Sequence, residues 1–216
     1  MPSRRSTLRS ALLFVMGCTA GARSFGEGAR DTIEAMGRYL GAVVQLFSGT
    51  QKRVEGIEVA SLDANTRDAL RSDIDALVRA LDSLLAPKGI FVQDLRGYLS
   101  RAQANRFDSP AQREGAWRAI QGEVNEIARG AQRVLAVVTR PESRLDVVIP
   151  DADRVELEDM MRQRGILLAR FVDIPPPTTP GDLAALEVIV EQHERLRQLT
   201  QRFRVTLESK RRTLVA

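Results

Sequence analysis

The side chains able to do chemistry are few in this chain of 216 residues, which holds one histidine, one cysteine and only three lysines, Lys52, Lys88 and Lys210. A Ser-His-Asp set would need His193 as its base, yet His193 stands on an apolar stripe in mid-helix and no serine occupies a sharp Gly-rich turn. Zinc requires several His or Cys ligands, and helical di-iron sites take a Glu-x-x-His pair from each of two helices, so one histidine supplies neither. No Gly-rich loop leads into a lysine to cradle phosphate. Asp151-x-Asp153 lacks the glycine and terminal glutamate of a calcium loop, and paired acids such as Glu156 and Asp159 read as capping at a helix start. What remains is His193 together with Met36, Met160 and Met161 on other helices. Such a set either ligates haem inside a bundle or is plain core, the histidine hydrogen-bonded to a neighbour and the methionines packing. No metal and no resident cofactor is expected.

These residues must be positioned by helices. Ile33, Met36, Leu40, Val43 and Phe47 recur at three- and four-residue spacing, which predicts a helix from about residue 29 to 56. Leu70, Ile74, Leu77, Leu81 and Leu84 predict a second over 64–86, ended by Pro87-Lys88-Gly89, with Phe91, Leu95, Tyr98 and Ala102 marking a shorter third. Ser109, Pro110 and Gln112 supply an N-cap, a first-turn proline and a capping-box glutamine for the stripe Trp117, Ile120, Val124, Ile127, Ala131, Val134 and Val138. Residues 145–150 are β-branched and predict a short extended segment. A further helix follows the Asp151 cap, carrying Val155, Met160, Met161, Leu167, Leu168 and Phe171. Ile174-Pro175-Pro176-Pro177-Thr178 must be extended, as a stiff spacer or an ordered crossing. Thr179-Pro180-Gly181-Asp182 then caps a long last helix with Leu186, Ile189, His193, Leu196, Thr200, Phe203 and Leu207 along one side. The fold class is all-α, an antiparallel bundle of five or six helices with a short extended segment and a proline-rich crossing. Gly37 and Gly41, one turn apart, either allow a close helix contact or are merely tolerated.

The N-terminus reads differently. Arg4, Arg5 and Arg9 precede the apolar run Ala11-Leu12-Leu13-Phe14-Val15-Met16, which is far too short to span a bilayer and ends at Gly17-Cys18. Val15-Met16-Gly17-Cys18 resembles a bacterial lipobox, and Ser3-Arg4-Arg5 with Leu8-Arg9 resembles a twin-arginine export motif. The lipoprotein resemblance implies that residues 1–17 are a signal peptide and that Cys18 becomes an acylated N-terminus. Residues 18–28 then form a tether and 29–216 a single helical-bundle domain. Thr19 after the cysteine implies, by the same analogy, the outer rather than the inner membrane. A cut near Ala20 or Ala22 would give export without the lipid.

Removing Arg4, Arg5 and Arg9 from the 32 basic residues leaves 29 against 28 acidic, so the mature chain is nearly neutral. Its charges are segregated. Acids dominate residues 55–85, whereas Arg195, Arg197, Arg202, Arg204, Lys210, Arg211 and Arg212 dominate 191–212. Either these are solvated faces of adjacent helices, or the basic face Arg197, Arg202, Arg204 and Arg211 meets an acidic partner. Nucleic acid is not expected, because the basic residues are not interleaved with aromatics. The sequence thus predicts an exported, membrane-anchored binding or scaffolding module for another envelope component, with a small-ligand or haem-binding bundle centred on His193 as the alternative and an enzyme behind both. In a bacterium with lipoprotein processing, the mature protein should lack residues 1–17, carry added acyl mass and partition into membranes. Cys18→Ser should abolish all three; full-length masses that differ only by the exchange of sulfur for oxygen would show the motif is not processed.

Overall fold

The computed structural model describes residues 25–56, 62–147, 149 and 151–214, so the expected signal and Cys18 lie outside the described residues, as does the side chain of Met161. Five α-helices make up nearly all of it: α1 Phe25–Glu55, α2 Ala64–Gln103, α3 Pro110–Val138, α4 Asp151–Asp173 and α5 Pro180–Thr213. None of them is long and apolar enough to cross a membrane.

Of the expected caps, those at Ser109 and Thr179 form, whereas Asp151 is the first residue of α4 and accepts from Arg154 Nη2 at 2.7 Å. Ser109 Oγ accepts from Gln112 N at 3.2 Å, and the Gln112 side chain reaches back to Asp108 N at 2.8 Å, so two backbone donors at the start of α3 are satisfied reciprocally. Thr179 Oγ1 accepts from Asp182 N at 3.1 Å and Pro180 opens α5. Asp63 caps α2 through Thr66 N at 2.9 Å. That helix stops at Asn105, whose left-handed φ of 50° releases Asn105 N to Ala102 O and Arg106 N to Arg101 O.

Three local expectations are corrected. First, α2 does not end at Pro87; it runs through it to Gln103, absorbing the predicted third helix. Pro87 forfeits only its own bond to the Ser83 carbonyl, while Leu81, Leu84, Lys88, Phe91 and Leu95 keep their spacing and bury on both sides of it, and that packing outweighs the local penalty. Second, residues 144–147 wind a 3₁₀ turn instead of extending. Asp73 of α2 holds it: this buried carboxylate pairs with Arg140 and accepts from Arg144 N at 2.7 Å and Ser143 Oγ at 3.3 Å. Third, Val155 faces solvent, because the buried phase of α4 runs through Leu157, Met160, Arg164, Leu168 and Phe171. The first helix also begins four residues ahead of the expected position, within the segment read as tether.

The helices pack in a closed ring, in the order α1, α5, α2, α3, α4 and back to α1. Four of the five seams are antiparallel. On the α2–α5 seam, for example, Asp82 pairs with Arg204 and Asp75 with Arg211. The α1–α5 seam is parallel: Phe47 meets Phe203 at 6.1 Å, and farther along both helices Lys210 Nζ donates to Glu55 O at 2.9 Å. An odd ring cannot alternate throughout, so one parallel pair is unavoidable.

Reaching that seam requires the chain to cross one end of the bundle between α4 and α5, and the prolines make the crossing. Pro175 to Pro177 bring no N–H that burial would leave unsatisfied. The carbonyls are met by buried donors: Trp117 Nε1 to Ile174 O at 3.0 Å and Tyr98 Oη to Pro177 O at 2.9 Å. Phe171, Trp117, Tyr98 and Phe107 stack successively at 5.3–5.4 Å beneath it.

Close helix approach falls at Gly130, not at the Gly37/Gly41 pair. A Cβ at Gly130 would lie 3.2 Å from both Leu84 Cα and Ser83 O, whereas at Gly37 the nearest atom is the flexible Val188 Cγ1 at 3.4 Å and Gly41 faces open space. Gly130→Ala should therefore lose about 1 kcal/mol net despite its better helix propensity, since overpacking costs about 1–3 kcal/mol. Gly122→Ala, with nothing within 4 Å, should gain up to about 1 kcal/mol. Urea denaturation of the two variants checks the contrast; equal shifts would refute the close contact.

Candidate functional site

All five helices line a cavity of about 80 Å³ in the middle of the ring. Its wall is mostly Leu, Ile, Val and Phe, yet Tyr39 of α1, Lys88 of α2, Arg164 of α4 and His193 of α5 also reach it. Each stands where the helical spacing demands an inward residue: Lys88 between Leu84 and Phe91, Arg164 between Met160 and Leu168, Tyr39 between Met36 and Val43, His193 between Ile189 and Leu196. Lys88 is 3% exposed, Arg164 and His193 7% each. A smaller void of about 30 Å³ shares Phe47, Val134 and Leu157 as walls and continues toward Thr50 and Asp153.

The electrostatics are one-sided. Lys88 Nζ donates to Thr200 Oγ1 at 3.3 Å, and the Thr200 hydroxyl donates in turn to Leu196 O at 2.7 Å. The ammonium thus rests on a neutral hydroxyl, and burial, with Arg164 adding repulsion, pushes its pKa down to about 7. His193 packs its ring on Phe91 at 4.7 Å. Burial, then Lys88 and Arg164, push its pKa down to about 3, so the imidazole is neutral. Its Nδ1 is buried with no hydrogen-bond partner among the described residues. Burial lowers the Arg164 pKa against the opposing pull of Tyr39, and it raises the Tyr39 hydroxyl to about 12. No carboxylate is among the charges acting on Lys88 or His193.

Of the residues singled out in the sequence, Met36 and His193 are brought together on the cavity wall. Met160 packs at the edge of the core outside that wall. Among the described residues no group of three or more His, Cys, Asp or Glu is gathered as a metal ion would require. The four arginines of α5 diverge. Arg204 pairs with Asp82 and Glu208, Arg211 with Asp75 and Arg197 with Glu194, so the acidic stretch of α2 and the basic stretch of α5 meet across their seam. Arg202 is exposed and forms no ion pair with the described residues.

Lys88, Arg164 and Tyr39 were not singled out from the sequence. Lys88 was hidden by breaking the helix at Pro87; continuing the stripe from Leu84 to Phe91 puts it on the inner face. Arg164 was passed over because an arginine in an amphipathic pattern reads as surface. Comparison of the chain with protein-family models, curated proteins and solved structures returns no match.

A lysine free in water titrates near 10.5, and burial brings Lys88 down to about 7 in the fold. Between these values the unfolded chain binds more protons, so this group's penalty is full below about pH 7 and fades as pH rises toward 10. Lys88→Met should therefore be more stable than wild type by about 2–4 kcal/mol at pH 6, with the difference shrinking by pH 10. Urea midpoints at pH 6, 8 and 10 test this; a difference that does not change with pH would show that Lys88 is not a desolvated ammonium.

Proposed function

We propose that the protein is a binding module of the cell envelope, tethered through an acylated Cys18, whose five-helix bundle takes a small ligand into its core. The observation that carries this reading is the axial cavity, where polar groups from α1, α2, α4 and α5 converge on an otherwise apolar void. Bundles build ligand sites between helices from such a few convergent polar groups. A core selected for stability alone would fill the space and place apolar side chains at these positions. Export and anchoring are supported by the lipobox-like Val15-Met16-Gly17-Cys18. An envelope partner would find its open contact at Arg202, beside the surface groove that Gln51, Gln198 and Val205 line.

The cavity favours a small molecule over haem. Ligand clefts for drug-sized molecules run to about 300–1,000 Å³, and the void here is about 80 Å³. With His193 neutral and held far below neutrality, it is a weak general base, and the reading requires none.

The processed protein, released gently from membranes, should carry or accept a small noncovalent ligand in native mass spectrometry. A panel of small acids, alcohols and aromatics should include members that raise its melting temperature. Ala131→Leu, which projects a larger side chain from α3 into the void, should abolish these effects while keeping the fold. A wild-type protein with no adduct and no response to any compound would refute the reading.

A further inference from the structure

Resting on the ligand-binding reading, we propose that the axial cavity is a site for a small apolar carboxylate, its acid group on Lys88 and His193 and its hydrocarbon along the bundle axis.

Lys88 argues for the charge. A buried ammonium is expensive to hold unless an anion or several acceptors surround it. Here the only hydrogen bond from Nζ among the described residues goes to the Thr200 hydroxyl, and no carboxylate acts on it. Buried Asp73, by contrast, has three partners, Arg140, Ser143 Oγ and Arg144 N. Lys88 is left with capacity for an acceptor, and the cavity lies beside it.

His193 supplies the second donor. Its Nδ1 is buried without a partner, and in the Nδ1–H tautomer a neutral imidazole offers that proton to an oxygen. A carboxylate, with two oxygens, matches two donors; Arg164 on the same wall strengthens the positive field whatever its own contacts. The remaining wall is hydrocarbon, contributed by Leu40, Phe91, Ile127 and Leu168 among others, and would strand the extra charge and acceptors of a phosphate.

Volume sets the size. A void of about 80 Å³ lies between the space for one water and the roughly 150 Å³ engineered cavity that takes benzene. The hydrocarbon is therefore short, about two to three carbons beyond the acid group, and the adjoining void of about 30 Å³ behind Phe47 and Leu157 gives a linear chain its direction.

The test is calorimetry and thermal shift on the processed wild-type protein at pH 6, where Lys88 is protonated, with acetate, propionate and butyrate against ethanol, 1-propanol and 1-butanol. Inorganic phosphate and chloride serve as charge-only probes. The acids should bind at least ten-fold tighter than the matching alcohols and the inorganic anions, and Lys88→Met, checked for folding, should erase the preference. Alcohols binding as well as acids would overturn the carboxylate site while leaving a ligand-binding core intact. Phosphate or chloride binding as tightly as propionate would do the same, as would an acid preference that survives in Lys88→Met. Failure of every probe would remove both this inference and the reading beneath it.

Discussion

Five helices closed into one ring impose a constraint that a four-helix bundle escapes. With interaxial distances of about 8–10 Å, the axis of a regular five-membered ring lies about 8 Å from each helix axis, against about 7 Å for four. Side chains must therefore reach farther to meet. Most of them do, and Phe91, Leu81, Ile33, Ile120 and Ile189 are almost fully buried. Near the middle they leave a void, and Tyr39, Lys88, Arg164 and His193 converge there. The same odd number forces the parallel α1–α5 seam. That seam requires a crossing over one end of the bundle between α4 and α5, which the three prolines and the Trp117 and Tyr98 hydrogen bonds make compatible with burial.

Charge is handled in two ways. On the seams it is paired: Arg53 with Asp153 between α1 and α4, Asp82 with Arg204 and Asp75 with Arg211 between α2 and α5. Exposed pairs of this kind contribute little stability each, about 0–1 kcal/mol, but favour one order of helices over another. On the axis the charge is positive, and Lys88 and His193 are opposed by no carboxylate. One seam is the exception: Glu123 of α3 meets Asp94 of α2, and burial together with that second carboxyl raises Glu123 to about 7. Lys88 and His193, which face the void with no carboxylate among the described residues acting on them, make it the candidate site more than its volume does.

The sequence by itself determined the secondary structure to a large degree. Three- and four-residue spacing placed Ile33 to Phe47, Leu70 to Leu84, Trp117 to Val138 and Leu186 to Leu207 on inward faces, and Ser109 and Thr179 cap their helices. Stripes and caps are local: they depend on residues within a turn or two, and those are adjacent in the chain. The lipobox-like Val15-Met16-Gly17-Cys18 is likewise a local pattern, legible along the chain without a fold. His193 was legible because a lone histidine breaks an apolar stripe visibly.

Tertiary structure alone decided three things. Whether Pro87 ends a helix depends on Gly130 and on the burial of Leu84 and Phe91, since local penalty and distant packing oppose each other there. The ring order, and with it the parallel seam, depends on which helix faces complement one another across tens of residues. The site itself followed from that order: Tyr39, Lys88, Arg164 and His193 are at least 25 residues apart in adjacent pairs and share no motif. They meet only because four different helices turn one polar residue each toward the same axis, and no periodicity within a single helix records where its neighbours stand.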